Sequence, residues 1–195
     1  GAKVYTTKHS PIFHITKQKA IDKAIGEWIL QLDADERVTP ELADEIKGVI
    51  NMSNNELVTR KLVTEKQNKL FIRHQNHIEQ RDGKIGKLTG EVVAFFVPRR
   101  NFFLGKPLIH AGVYPDGVIR LFKKGRAKLP GKSVHEQMEV DGEVAWLFSD
   151  LEHHESPTLS RYLERANRYT DLTAEEYKNK KIPLTYWNLF KYSFI

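Results

Sequence analysis

Trp28-Ile-Leu-Gln-Leu-Asp-Ala-Asp-Glu36 is the stretch on which the fold turns. Residues 28–32 are apolar except for Gln31, as in a strand buried on both faces of a parallel or mixed sheet. Polarity then inverts. Asp33, Asp35 and Glu36 arrive together, and Thr39-Pro40 follows as helix cap and first helical residue. Strand, acidic loop and helix in that order put carboxylates at the carboxyl end of a core strand, where open α/β sheets bind ligands.

If extended geometry persists beyond residue 32, Asp33 and Asp35 point to one side, because strand side chains alternate with period two. Such a pair can share a hard divalent cation, Mg2+ or Mn2+, leaving coordination positions for phosphate oxygens and water. The same acids also read as solvated loop residues, or as charge favoured by the positive end of the next helix. An Asp-X-Asp alone does not choose between these readings.

The 195 residues suffice for one good core, so a single domain or a large piece of one is expected. Absence of cysteine removes disulfides, thiolate metal sites and cysteine nucleophiles together. No run approaches the ~20 apolar residues of a membrane span, and no signal peptide is recognised. The resulting expectation is a cytoplasmic protein. A formal net charge of +6 favours polyanionic partners, whether nucleotide diphosphates, anionic lipid surfaces or nucleic acid. The chain opens without methionine on a strand-like segment and closes in Tyr186-Trp-Asn-Leu-Phe-Lys-Tyr-Ser-Phe-Ile195 without a polar tail, so it is expected to be a fragment.

Before the central strand, residues 4–6 read as a short strand and residues 17–25 as a helix capped by Thr16, with Ala20, Ile21, Ala24 and Ile25 on its apolar face and Gly26 as left-handed stop. After the acidic loop, a helix over residues 40–50 aligns Leu42, Ile46, Val49 and Ile50. Residues 53–90 are polar with weak helical periodicity and read as an inserted helix and turn outside the core. His74 and His77 within it have metal-compatible spacing, but with no third ligand nearby they read as exposed histidines.

Strand character returns over residues 91–97 and is expected to stop at Pro98. Residues 99–117 mix cations, aromatics and glycines, which fits a ligand-binding loop or a structured connection plugging the core. Arg120 lies inside the strand of residues 118–122 and, if buried, needs an internal carboxylate or a bound phosphate. Ser133-Val-His-Glu136, a strand over residues 143–148, and an amphipathic helix capped by Ser156 complete the pattern.

Several of these pieces together resemble a known family. Leu32-Asp-Ala-Asp-Glu-Arg-Val-Thr-Pro-Glu-Leu42, Pro98-Arg-Arg-Asn101, Arg120-Leu-Phe122, Val134-His-Glu136, Leu151-Glu-His153, Tyr162-Leu-Glu164 and Asn167-Arg-Tyr169 stand in the order seen in family 2 glycosyltransferases, closest to bacterial enzymes of the lipopolysaccharide core and related surface glycans. The resemblance implies a glycosyltransferase A-type, Rossmann-like α/β fold, a mixed central sheet with flanking helices, here lacking its N-terminal strand-helix unit and its base contacts. It implies an inverting, metal-dependent transfer from a nucleotide-diphosphate sugar, expected to be a UDP-sugar, to a hydroxyl of a glycan or lipid-linked acceptor. Asp33, Asp35 and His153 would hold Mg2+ or Mn2+, Arg120 and Arg100 would bind the diphosphate, and Glu136 would be the base. Residues 183–195 read as an interfacial helix reaching the inner membrane surface, or as a packed helix cut short. Nucleic acid is not an expected partner. Two rival readings are a metal-dependent phosphohydrolase or nucleotidyltransferase, using the acidic loop with His153-His154-Glu155, and a non-catalytic anion-binding module.

Overall fold

The computed structural model describes residues 1–8, 13–60, 64–110, 112–131, 137–179, 181 and 185–187. Two compact units are defined, residues 1–155 and 156–195. The first carries a mixed α/β fold. Its sheet has the strand order β1 (Trp28–Leu30), β5 (Asp116–Lys123), β3 (Val92–Phe103), β9 (Leu151–Ser156), β2 (Glu36–Val38), with β4 (Lys106–Pro107) and β8 (Glu143–Trp146) also pairing β3. The β3–β8 pair is parallel, whereas β1–β5, β3–β5, β3–β4 and β2–β9 are antiparallel. Short strands β6 (Ala127–Lys128) and β7 (Glu139–Val140) form a separate ribbon.

β3 is the axis of the unit. Val92 to Pro98 are all buried, and the two faces of the strand feed two different cores. Val93 and Phe96 pack with Ile21 of α1 (Phe13–Lys23) and with Phe71 and Ile78 of α4 (Glu65–Asp82). Val92, Phe95 and Val97 pack with Leu42 and Val49 of α2 (Pro40–Val49) and Leu57 of α3 (Asn54–Thr59). Helices therefore cover both faces of the sheet.

Local chemistry explains where three of the helices begin. Thr39 accepts the Leu42 N–H at 3.1 Å and Pro40 stands at the first helical position, so α2 begins where expected. Ser53 and Glu56 form a reciprocal capping box on α3, and Thr64 caps α4.

Other expectations are corrected. Residues 53–90 are not an insertion outside the core, because Leu57, Phe71 and Ile78 are buried in it. Their sparse apolar positions understate a burial that the facing strands complete. β3 does not stop at Pro98. The Phe96 carbonyl accepts from Leu147 N–H, so Phe96 and, two residues on, Pro98 face the β8 side; Pro98 lies beyond the last β3–β8 pair, where a missing N–H breaks no bond in that ladder. Residues 4–6 are not a strand, and Val4 and Tyr5 are exposed. The first helix ends at Lys23, Ile25 is exposed, and Gly26 does not take the left-handed conformation.

The second unit contains α5 (Leu159–Asn179). Thr158, not Ser156, caps it by accepting the Arg161 N–H at 3.2 Å; Ser156 is buried at the end of β9. Among the described residues no helix is long and apolar enough to cross a membrane. Of residues 183–195, all but 185–187 lie outside the described residues, and with them the expected interfacial helix.

Candidate functional site

β1 ends at Leu30, two residues earlier than the apolar run suggested, and the acidic loop closes as a turn. Glu36 N–H donates to the Asp33 carbonyl at 3.1 Å, while Asp33 N–H donates to the Glu36 carboxylate at 2.9 Å. Asp is favoured at the first position of such a turn because it bonds nearby backbone. The consequence corrects the period-two argument: Asp33 and Asp35 leave the turn toward different partners.

Asp33 is bound on both sides by cations. Lys17 of α1 reaches it at 2.6 Å and Arg120 of β5 at 2.7 Å. Burial, the largest single influence, raises the affinity of Asp33 for a proton, but Arg120 and Lys17 together outweigh it and hold the carboxyl below its ordinary range. Arg120 itself is buried. Its guanidinium also donates to Gln31 and, at 2.6 Å, to Glu36, whose side chain is 0% exposed. Internal carboxylates, one of its two expected types of partner, meet it here. Removing either member of a buried pair leaves an uncompensated charge at a cost of roughly 3–5 kcal/mol, so Arg120 contributes to holding the acidic turn against β5. Arg100 is paired with Asp150, which also accepts from the Tyr114 hydroxyl at 2.8 Å.

Asp35 is different. Every other carboxylate of this cluster meets a Lys or Arg, since Arg99 holds Asp116 at 2.6 Å and approaches Glu36 at 3.6 Å. Among the described residues Asp35 has only His153, with Oδ2 at 3.6 Å from Nε2. The antiparallel pairing of β2 with β9, Glu36 opposite His153, sets the two side by side, and His154 N–H donates to the Asp35 carbonyl at 2.8 Å.

A relay that sequence reasoning did not assemble decides which nitrogen of His153 is free. Asp116 Oδ2 accepts from Asn101 Nδ2 at 2.8 Å, and a carboxylate can only accept, so the Asn101 amide nitrogen faces Asp116. Asn101 Oδ1 then faces His153 Nδ1 at 2.6 Å, and a carbonyl also can only accept, so Nδ1 carries the proton. Burial first, and then the Arg99 charge, press the His153 pKa below its usual value despite Asp35, Glu36 and Asp116, which keeps the ring neutral at neutral pH. Nε2 therefore presents a lone pair to the Asp35 carboxylate. Both groups are acceptors, so a hydrogen-bond donor or a cation can bridge them. Ligands each ~2.1 Å from one ion stand about 3 to 3.5 Å apart, close to the 3.6 Å found here.

Asp35 and His153 thus stand together, whereas Asp33 is turned to Lys17 and Arg120. Among the described residues no three of His, Asp and Glu converge on a metal position. Glu136, the expected base, lies outside the described residues, as do Val134 and His135. The one available signal for Asn101 was its place at the end of Pro98-Arg-Arg-Asn101; Lys17 and Asp116 carried none. The fold and the cluster define a mixed α/β protein with a charged, half-buried cluster beyond the end of the short edge strand β1. No family model matches the chain.

Proposed function

We propose that this chain is the catalytic part of an inverting family 2 glycosyltransferase of glycosyltransferase A type, moving a sugar from a nucleotide-diphosphate sugar, a UDP-sugar in first instance, to a hydroxyl of a cell-envelope glycan or glycolipid. The observation that carries the reading is the pair Asp35 and His153, 3.6 Å apart, Asp35 being the one carboxylate of the cluster that no Lys or Arg reaches among the described residues. The order of short motifs through the chain supports it.

In this reading Asp35 and His153 hold Mg2+ or Mn2+, which when bound supplies Lewis-acid neutralisation of the leaving diphosphate. The chain's own residues do the remainder. Asn101 holds the His153 ring in the required tautomer. Lys17 and Arg120 lock Asp33, which keeps the acidic turn in shape. Glu136 accepts the proton of the attacking hydroxyl as the new bond forms; the donor sugar inverts in one displacement, and the nucleoside diphosphate leaves with the bonding pair.

Calorimetry with UDP-sugars and Mg2+ or Mn2+ tests this. Asp35→Ala removes the metal-dependent part of binding, while Glu136→Gln leaves binding nearly intact and eliminates transfer, a loss of roughly 100- to 10,000-fold. Equal donor binding with and without metal overturns the proposal. Release of free phosphate in place of glycosylated acceptor points to the phosphohydrolase class instead.

A further inference from the structure

On one side of β5, helix α4 and residues 112–115 enclose an open groove of about 600 Å³. That volume falls within the ~300–1,000 Å³ usual for small-ligand sites, and its open side suits a chain passing through. Lys69, Arg73 and His77 lie on the groove at helical spacings of four, so they share one face of α4. Among the described residues no carboxylate lines it, although Lys69 Nζ lies 2.7 Å from Glu65 Oε1 one turn away on the exposed surface of α4. Arg73 and His77 are exposed and make no hydrogen bond or ion pair among the described residues. Asn76 and Gln80 add side-chain amides, which donate to and accept from hydroxyls.

The wall opposite is stiff. His74 Nε2 accepts the Gly117 N–H at 2.9 Å, Pro115 is buried, and the Tyr114 hydroxyl is spent on Asp150 at 2.8 Å, which leaves the Tyr114 ring as a lining surface. Gly112 has φ +79°, and a side chain there would come within 3.4 Å of the Arg73 guanidinium. The same wall leads to the candidate centre: Gly117 follows Asp116, which orients Asn101 and through it His153.

We propose that this groove binds an acidic saccharide, a sugar chain bearing phosphate or carboxylate, with Arg73, His77 and Lys69 on the anion and Asn76 and Gln80 on the hydroxyls. The label of acceptor for that saccharide rests on the glycosyltransferase reading; the binding itself does not. A guanidinium, an ammonium and an imidazole spaced along one helix face accommodate an anion, and the amides between them select for a polyhydroxylated carrier over a bare ion.

The test is a titration of the 195-residue chain with cellobiose 1-phosphate, cellobiouronic acid, cellobiose and inorganic phosphate, followed by calorimetry and by the Arg73 and His77 side-chain NMR signals. Both acidic disaccharides are expected to bind about tenfold or more tighter than cellobiose or phosphate, and Arg73→Ala with His77→Ala to remove that advantage. Gln80→Glu, on the exposed face, is expected to weaken the acidic ligands alone. Asp35→Ala leaves this binding unchanged, so failure of the transferase reading and failure of this proposal are separable. Cellobiose binding as tightly as its acidic derivatives, phosphate alone matching them, affinity unmoved by the Arg73 and His77 substitutions, or no binding at all overturns it.

Discussion

At the scale of single residues, the contrast between Asp33 and Asp35 shows how little spacing decides. Both sit in the same acidic turn, yet Lys17 and Arg120 neutralise one while the other faces the lone pair of a neutral histidine. Asn101 is the residue that makes the difference usable, because an amide held by Asp116 leaves His153 one tautomer. Asn101→Ala is therefore expected to release that preference, visible as a mixed pattern in the 15N shifts of the His153 ring. On the glycosyltransferase reading it also weakens Mn2+ binding by roughly 10- to 100-fold, as loss of such a supporting hydrogen bond does elsewhere. An unchanged Nδ1–H tautomer in the variant refutes the relay. Asp35 and His153 were each singled out from a short motif, but their lying side by side follows from the pairing of β2 with β9. The pairing of Asp33 with Arg120 was not legible in advance, since a side chain's partner across the fold leaves no local trace.

At the scale of elements, aromatic stacking ties α4 to β8 and β3. Trp146 lies between Phe71 and Phe96, with ring centroids 4.4 and 4.7 Å away, and its indole N–H donates to Gln75 Oε1 at 3.2 Å. Gly117 lets β5 pass beneath this ring. A Cβ there would overlap Trp146 Cη2, stand 2.8 Å from Cζ3 and 3.0 Å from His74 Cδ2. Because Trp146 is clamped on both faces, Gly117→Ala is expected to cost about 1–3 kcal/mol in chemical denaturation, the usual scale for overpacking. A neutral result would mean that α4 gives way. The strand of residues 118–122 was read nearly correctly from its composition. α4 was misjudged, because its buried positions are Phe71 and Ile78 with a polar run between them, and only the sheet face opposite makes them core.

At the scale of the whole molecule, burial and ion pairing make the fold sensitive to acid. His74 is pressed below its ordinary pKa chiefly by burial, so the unfolded chain takes up that proton first and stability falls as pH drops through about 6.5. Asp116 behaves as the opposite charge type with the same outcome. Burial, the largest influence, raises its pKa, but Arg99 and Asn101 lead the groups that lower it, with the net result below the ordinary value. Its contribution is complete above about pH 3.9 and is lost as pH falls further. Urea midpoints measured from pH 7.5 to 3 should therefore decline in two stages. His74→Gln should reduce the upper stage, which His153 shares, and Asp116→Asn the lower, which Asp33 shares. Midpoints that rise on acidification would contradict both assignments.

What the amino-acid order determined by itself is whatever depends on neighbours in the chain. The Thr39-Pro40 start of α2, the apolar strand before the acidic turn and the strand around Arg120 follow from capping, polarity and period, which act over a few residues. What only the tertiary structure decided is which charge meets which. Asp33 finds Lys17 across 16 positions and Arg120 across 87, and His153 finds Asn101 across 52. Those choices depend on how β1, β5, β3 and β9 are ordered in one sheet, and no local preference encodes that order.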